Sequence, residues 1–429
     1  MRPADIGRLA TLVALVASCT SVSVAPPGSV APPSAPSTGP SLAAATRQPT
    51  ATPTPATWED DLATIDRTVR IVHVSPFTIH PESEWVALLK DVSARIETAT
   101  PNQQIALVAS LMGLLDTHSS LVEIPGGWHF YGLLPYRFSD GWFVIRAGDH
   151  ALVRDRLVSI GGVPIDQVVD RLTPLVPHDN ADGLLEGLGW ALNSVEFLNG
   201  AGIVAESAHP AFGLVRPDGS SVTVDPPALD EQHYDLVNPG WLTGTAPEAV
   251  ARRAERIWTR LDKVRRLFLI SVNDYGPMSD AAKAMTAALD ARQADRVVFD
   301  MRYLQGGNGD IAILDTLKND PRVNRPGGLT VLIGRENVSA ATSVVEFLDR
   351  ETDALFVGEP TPARADNFRC DCPDVVLPHS GFTISVPTSW DRLGDDRHEI
   401  APDVPMALSS TDFFAGRDPV LEAALRGLP

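Results

Sequence analysis

The stretch "LTVLIGRENVSAATSVVEFL", Leu329–Leu348, joins a continuous apolar strand to an amphipathic helix and places Ser339 between the two. Two similar strands, "RRLFLISV" and "RVVFDMR", begin at Arg265 and Arg296, and helical patterns lie between the strands. Continuous apolar strands that alternate with helices indicate a parallel sheet covered by helices on both faces. Residues 237–429 are therefore predicted to form an α/β unit.

Two further units are predicted upstream of this sheet. Residues 58–125 repeat apolar positions at helical spacing, as in "NQQIALVASLMGLLDTH", and are predicted to form an N-terminal helical domain. Residues 126–236 are rich in strand patterns. Within them "FGLVRPDGSSVTVDP" predicts a hairpin at its Asp-Gly, and "RLVSIGGVPIDQVVDRL" predicts a strand, a turn and a helix. The second pattern resembles part of the PDZ fold, so this region is predicted to be a degenerate PDZ-like module.

The start of the chain has the pattern of an export signal. Arg2 and Arg8 precede an apolar run, Leu9–Ala17, that ends in "VASC" at Cys19. Small residues followed by cysteine resemble the bacterial lipobox, which implies lipidation of Cys19; ordinary cleavage, with no role for this cysteine, is the alternative. Residues 1–18 are thus predicted to be a lipoprotein signal peptide and residues 19–57 a Pro/Ser/Thr-rich linker. We expect an exported protein, anchored by lipid at the cell surface or periplasmic face.

Composition excludes several classes of function. Of the 429 residues, 44 % are hydrophobic and 21 % charged, as in soluble globular proteins, and the net charge of −19 disfavours nucleic acid as a partner. None of the three cysteines has the C-x-x-C spacing of a zinc or redox site, and a Cys370–Cys372 disulfide is left open. Phosphate-loop, dinucleotide and zinc-peptidase motifs are absent from the sequence. We expect no metal and no cofactor, while the oligomeric state is left open.

Ser339 has two interpretations on local grounds. Ligands of parallel α/β sheets bind at the carboxyl ends of the strands, where both "YLQGGNGD" and "RENVSAA" fall, so these two loops are predicted to be neighbours. A serine at the first turn of a helix can cap the helix. The free N–H groups around it also suit the binding of an oxyanion.

Four motifs in order extend the pattern beyond this serine. They are "FDMRYLQGG", "VSAA", "ALFVGEPT" and "IAPDVPM". This series resembles the core of the serine peptidase family that contains the C-terminal processing (tail-specific) proteases and the tricorn protease. The resemblance covers roughly residues 60–410. It implies a crotonase/ClpP-like ββα core and a peptide or protein substrate.

The resemblance also implies roles for individual residues. Ser339 takes the position of the nucleophile. The backbone N–H groups of Ala340 and of Gly306 or Gly307 take the positions of the oxyanion donors.

A serine nucleophile needs a base, which the family supplies in two ways. One branch uses a lysine about twenty-five residues beyond the serine, and no lysine follows Lys318 in this chain. The tricorn-like branch uses a histidine, and "LLDTHSSL" places His118 at that position, with Thr117 as the hydroxyl residue before it. For the late carboxylate the comparison points to Asp396, with Glu399 close behind.

Two departures from the family pattern bear on activity. Leu304 replaces the asparagine of the glycine loop, and Thr342 replaces the acidic residue three positions after the serine. The leading interpretation is a membrane-tethered, extracytoplasmic serine peptidase that cleaves peptides or polypeptide tails. The alternative is an inactive surface lipoprotein of the same fold that binds peptides or acts as a scaffold.

Overall fold

The computed structural model describes residues 55–115, 117–206, 209–233, 246–369, 374–391 and 394–427. The predicted signal peptide, Cys19, Cys370 and Cys372 lie outside these ranges. None of the helices within the ranges has the length and apolar character needed to cross a membrane.

Three helices form the N-terminal region, and their ends follow from local sequence. Thr100 and Gln103 form a reciprocal capping box at the start of the third helix, and Pro101 occupies its first turn, where no N–H partner is needed. The α-helices of the described ranges are α1 Trp58–Ile71, α2 Glu82–Arg95, α3 Pro101–Gly113, α4 Ile165–Leu172, α5 Ala181–Ala191, α6 Val195–Gly200, α7 Glu248–Ala251, α8 Met278–Asp290, α9 Ala312–Asn319, α10 Ala340–Glu351, α11 Ser410–Phe414 and α12 Pro419–Arg426.

The strands fall into five sheets. Their bounds are β1 Leu121–Glu123, β2 His129–Tyr131, β3 Leu133–Phe138, β4 Gly141–Ala147, β5 Arg156–Ile160, β6 Val163–Pro164, β7 Phe212–Val215, β8 Ser221–Val224, β9 Ala228–Asp230, β10 Ile257–Asp262, β11 Leu267–Val272, β12 Arg296–Asp300, β13 Leu329–Ile333, β14 Leu355–Gly358, β15 Phe368–Arg369, β16 Val375–Val376, β17 Thr383–Ser385, β18 Ser389–Trp390 and β19 Val404–Pro405.

The β-rich region is built around an antiparallel sheet with the order β3-β4-β5-β7-β8. The predicted hairpin is confirmed, since β7 and β8 pair with Phe212 opposite Val224. The predicted strand, turn and helix are also found: β5 turns back through Gly161 and Gly162 to pair with β6, and α4 follows directly. Both glycines have positive φ, which their missing side chains permit.

The C-terminal sheet has the order β10-β11-β12-β13-β14-β19. Only β10 runs antiparallel to its neighbour among these strands; β11, β12, β13, β14 and β19 pair in parallel. The parallel sheet predicted from the apolar strands is therefore confirmed. Because β12 and β13 are adjacent and parallel, the loops that follow them emerge at the same edge of the sheet.

Two of the four hydrophobic clusters in the described residues are large. One contains apolar side chains of the N-terminal helices and the β-rich region, and it also includes Ile384 of β17. The other is built from the parallel sheet and its helices, with Phe299, Val331 and Ala341 among its members. The later strand β17 pairs with β1, so the C-terminal part of the chain returns to the N-terminal region.

Candidate active site

Ser339 occupies the N-cap position of α10 in an unusual backbone conformation. Its φ is 57° and its ψ is −124°, and its side chain makes no capping hydrogen bond. A positive φ in a residue with a Cβ is strained and has to be held by its surroundings. The hydroxyl therefore does not serve as the helix cap.

The glycine loop after β12 lies directly against this serine. A Cβ added to Gly306 would stand 2.8 Å from the Cβ of Ser339 and 3.2 Å from its Oγ. Gly307 has a φ of 137°, which favours glycine, and it packs against the ring of Tyr275. The prediction that the two loops are neighbours is thus confirmed. Within the described residues the N–H groups of Gly306, Gly307 and Ala340 have no backbone acceptor.

Two buried asparagines hold the serine turn. Asn337 donates through Nδ2 to the carbonyls of Met301 (2.5 Å) and Leu304 (2.9 Å), and its Oδ1 accepts the N–H of Gly334 at 2.9 Å. Asn367 donates through Nδ2 to the carbonyl of Ser339 at 2.8 Å. Truncation of either asparagine would leave buried backbone groups without hydrogen-bond partners. These contacts therefore hold the serine turn against the glycine loop.

His118 lies just beyond α3 and is paired with Asp179. The Nδ1 of His118 is 2.5 Å from Oδ2 of Asp179, and the same oxygen accepts the backbone N–H of His118 at 3.0 Å. The side chains are 13 % and 1 % exposed, respectively. Because an ionised carboxylate only accepts hydrogen bonds, Nδ1 carries the proton and the lone pair of the neutral ring is on Nε2. That Nε2 is buried and has no hydrogen-bond partner in the described part of the chain.

The loop at residues 361–367 connects the two halves of the site. Asn180, next to the partner of His118, donates through Nδ2 to the carbonyls of Thr361 and His398, each at 2.9 Å. At its other end the loop contacts Ser339 through Asn367. Six residues of chain span at most about 22 Å, so the two contacts lie within that distance of each other along the loop.

The structure does not pair the predicted late carboxylate with His118. Asp396 is exposed and makes no hydrogen bond to His118, whose Nδ1 is held instead by Asp179. Glu399 is half-buried and lies near Asp182 on α5. Sequence reasoning missed Asp179 because it lies 61 positions from His118, in a segment that matches none of the four motifs.

The other predicted residues are placed as follows. Thr117 is fully buried, and its Oγ1 accepts the backbone N–H of Ser119 at 3.4 Å. The side chain of Leu304 packs in the core beneath the parallel sheet, and Thr342 donates to the carbonyl of Asn337 at 2.5 Å. Within the described residues, no hydrogen bond joins Nε2 of His118 to Ser339.

Carboxylates of α5 border the serine turn on one side. Burial raises the pKa of Asp182 to about 6 and that of Glu186 to about 8, with the charge of Glu336 adding to the effect on Glu186. Glu336, three residues before the serine, forms a buried ion pair with Arg253. Glu336 also accepts a hydrogen bond from Gln305 of the glycine loop at 3.1 Å. This network ties the two loops together at a second point.

The donor atoms needed for a metal site are not gathered anywhere in the described ranges, where no cluster of three or more His, Cys, Asp or Glu suits an ion. The described residues instead include an uncapped hydroxyl at Ser339, amides beside it without a backbone acceptor, and, at His118, an imidazole held by a carboxylate. Such groups are those of nucleophilic acyl transfer.

Comparisons with known proteins place the fold. No protein-family profile matches the chain, and no curated protein matches it. A solved structure of mature CPAF matches with a TM-score of 0.60 at 14 % identity, covering 85 % of this chain and 95 % of its own. A CPAF mutant matches with a TM-score of 0.61 at 12 % identity, covering 86 % of this chain and 98 % of its own. Mature CPAF complexed with lactacystin gives 0.58 at 13 %, with coverages of 85 % and 96 %. The chain therefore has the mixed α/β fold of CPAF, with N-terminal helices and β-rich sheets.

Proposed function

We propose that this protein is a serine peptidase that cleaves peptide bonds through an acyl-enzyme. The observation that carries the proposal is the strained, uncapped Ser339 seated against Gly306 at the N-terminus of α10. The fold shared with CPAF and the ordered motifs of the tail-specific and tricorn proteases support the same chemistry. In this proposal the C-terminal unit is a crotonase/ClpP-like core.

The first step forms a bond between Oγ of Ser339 and the substrate carbonyl carbon. The hydroxyl proton passes to Nε2 of His118, whose other nitrogen is held by Asp179. The N–H groups of Ala340 and of Gly306 or Gly307 bind the negative oxygen of the tetrahedral intermediate. The C–N bond then breaks as Nε2 returns the proton to the leaving amine, and water releases the acyl group by the same route.

For proton transfer, Nε2 of His118 has to come within hydrogen-bond distance of Oγ. Catalytic hydrogen bonds are often long in the free enzyme and shorten when substrate binds. Nε2 of His118 is buried and has no donor in the described residues. An approach of Ser339 to this nitrogen would give it a hydrogen-bond partner, which favours such a step.

A fluorophosphonate probe tests the proposal directly, since it reacts with activated serines. We expect covalent labelling of the wild-type protein, and we expect that labelling to disappear in Ser339→Ala and in His118→Ala. Ser343→Ala is a matched control one helical turn further along α10 and should be labelled like the wild type. A folded wild-type protein that takes up no label would favour the alternative, an inactive peptide-binding or scaffold lipoprotein.

We further propose that the protein works outside the cytoplasm, held by a lipid on Cys19, and that residues 126–236 act as a PDZ-like module. Export and the anchor are supported by the N-terminal sequence alone. Metabolic labelling with a palmitate analogue tests the anchor. A band that persists in Cys19→Ala would exclude lipidation at this residue.

A further inference from the structure

Arg364 is a buried arginine with no hydrogen-bond or ion-pair partner among the residues that the structure describes. Its residue exposure is 7 %, and Nη1 is fully enclosed with no hydrogen-bond acceptor. In the described part of the chain it also forms no ion pair of the kind found for other arginines. A guanidinium carries five N–H donors and cannot give up its charge, so enclosure without an acceptor is costly. Such a group calls for a ligand or a functional explanation.

Some other buried arginines differ from Arg364 because they have carboxylate partners. Each of three others is matched by at least one carboxylate, as the buried-charge rule requires. These pairs are Arg253 with Glu336, Arg302 with Asp300 and Asp418, and Arg335 with Glu359.

The surroundings of Arg364 are aromatic and contain a second free donor. Its Cζ lies 5.5 Å from the ring centroid of Phe368 and 5.8 Å from that of Trp390. The ring of His73 packs against the same phenylalanine at 5.8 Å. Nδ1 of His73 accepts the N–H of Ser75 at 3.0 Å, so its Nε2 bears a proton, and this buried atom has no acceptor.

The position of Arg364 links it to the candidate active site. It lies midway along the 361–367 loop, three residues from Thr361, which contacts Asn180, and three from Asn367, which contacts Ser339. Three residues of chain span at most about 11 Å. A ligand held by Arg364 would therefore extend along the loop that joins the two halves of the site.

We propose that Arg364 is a specificity-determining residue that binds a carboxylate of the substrate, with His73 as a second donor. A planar guanidinium stacked on aromatic rings is suited to bidentate carboxylate recognition. The inference deepens the proposed function and relies on it for the identity of the substrate as a peptide. The carboxylate is either the C-terminal group of the peptide or an Asp or Glu side chain near the scissile bond.

Peptide binding to the full chain carrying Ser339→Ala tests this without requiring hydrolysis. The probes are hexapeptides of random sequence that carry an uncharged BODIPY dye, in three sets: free C-termini without Asp or Glu, C-terminal amides without Asp or Glu, and C-terminal amides with one Asp or Glu. Fluorescence polarisation gives the Kd of each set. A charged hydrogen-bond pair contributes about 1.5–3 kcal/mol, so one carboxylate set should bind roughly 10- to 150-fold more tightly than the neutral amides. The set that does so identifies the source of the carboxylate.

Adding Arg364→Gln should abolish that preference, whereas Arg67→Gln on the exposed face of α1 should preserve it. If Arg364→Gln does not fold, Arg364→Lys is the second variant. It keeps the positive charge but loses the paired N–H groups of the guanidinium, so the preference for the carboxylate peptides should fall several-fold. The inference is overturned if the preference for carboxylate peptides is the same with and without Arg364. It is also overturned if the Ser339→Ala protein binds all three peptide sets with the same Kd. Fluorophosphonate labelling of the wild type separates the two proposals. A carboxylate preference without labelling would refute the peptidase and leave the carboxylate site standing. Labelling without a carboxylate preference would refute the carboxylate site alone.

Discussion

Replacing Asp179 should slow the chemistry at Ser339 far more than replacing any other acidic residue in its neighbourhood. One oxygen of Asp179 accepts from both Nδ1 and the backbone N–H of His118, at 2.5 and 3.0 Å. A charge-assisted hydrogen bond contributes about 1.5–3 kcal/mol, and about 1.4 kcal/mol changes a rate tenfold. Loss of the bond to the ring therefore costs roughly 10- to 150-fold, and loss of the fixed tautomer extends this towards about 10⁴-fold.

The assay is the second-order rate constant for fluorophosphonate labelling, followed by intact-protein mass spectrometry, because it requires no known substrate. Asp179→Ala and Asp179→Asn should both show the loss, because the amide lacks the charge that stabilises the imidazolium and its NH₂ group can hold the wrong tautomer. Asp396→Ala is the matched control: that carboxylate is exposed and does not touch His118, so the rate should be unchanged. Melting curves confirm that each variant is folded.

Two results would refute the reasoning. Wild-type labelling of folded Asp179→Ala would mean that the carboxylate does not support the base. A large loss in Asp396→Ala alone would restore the carboxylate predicted from the sequence.

Three other changes have defined outcomes. Gly306→Ala places a methyl group 2.8 Å from the Cβ of Ser339 and should lower the labelling rate roughly 100- to 1000-fold by displacing an oxyanion donor, while the clash also lowers Tm; a normal rate in the folded variant would contradict the placement of this loop. Asn337→Ala removes three buried hydrogen bonds and should lower the free energy of unfolding by about 3 kcal/mol in urea titrations, and a loss below about 1 kcal/mol would count against its structural role. Burial, and then the charge of Asp366, raise the pKa of Glu346 from 4.5 to about 7, so the folded state alone keeps this proton and stability falls as the pH rises from about 4.5 to 7. Glu346→Gln should remove roughly 2–3 kcal/mol of that fall, measured from urea midpoints at pH 5 and 8, and an unaltered pH dependence would exclude the effect.

Much of the C-terminal sheet could be predicted because its signals are local and repeated. Strands buried on both faces are apolar throughout, and their alternation with helices dictates parallel pairing. The proximity of the glycine loop to Ser339 followed from the same rule, since adjacent parallel strands release their loops at one edge. The roles of Ser339 and His118 in catalysis stay predictions.

The partner of His118 could not be found in this way. With 54 acidic residues in the chain, only the packing of the β-rich region against the N-terminal helices selects Asp179. Asp396 was chosen by counting along the sequence, which carries no information about that packing. Arg364 was missed for a related reason: it lies twenty-five positions beyond Ser339, where a search for a basic catalyst considers lysine, and arginine cannot act as a base near neutral pH.

The two largest of the four apolar clusters in the described residues have a mechanical consequence. The imidazole and its carboxylate belong to segments that pack in one cluster, whereas the alcohol begins a helix that packs in the other. A small rotation of one cluster against the other would change the distance between the serine hydroxyl and the imidazole, and it would have to repack the smaller cluster of Phe138, Ile145, Val250 and Phe413 that joins the two parts. A ligand or partner that contacts both clusters would then fix the distance between the hydroxyl and the imidazole. Amide hydrogen exchange along residues 361–367 should slow when such a ligand or partner binds. Reactivity would then be governed by assembly and occupancy more than by the stability of either cluster.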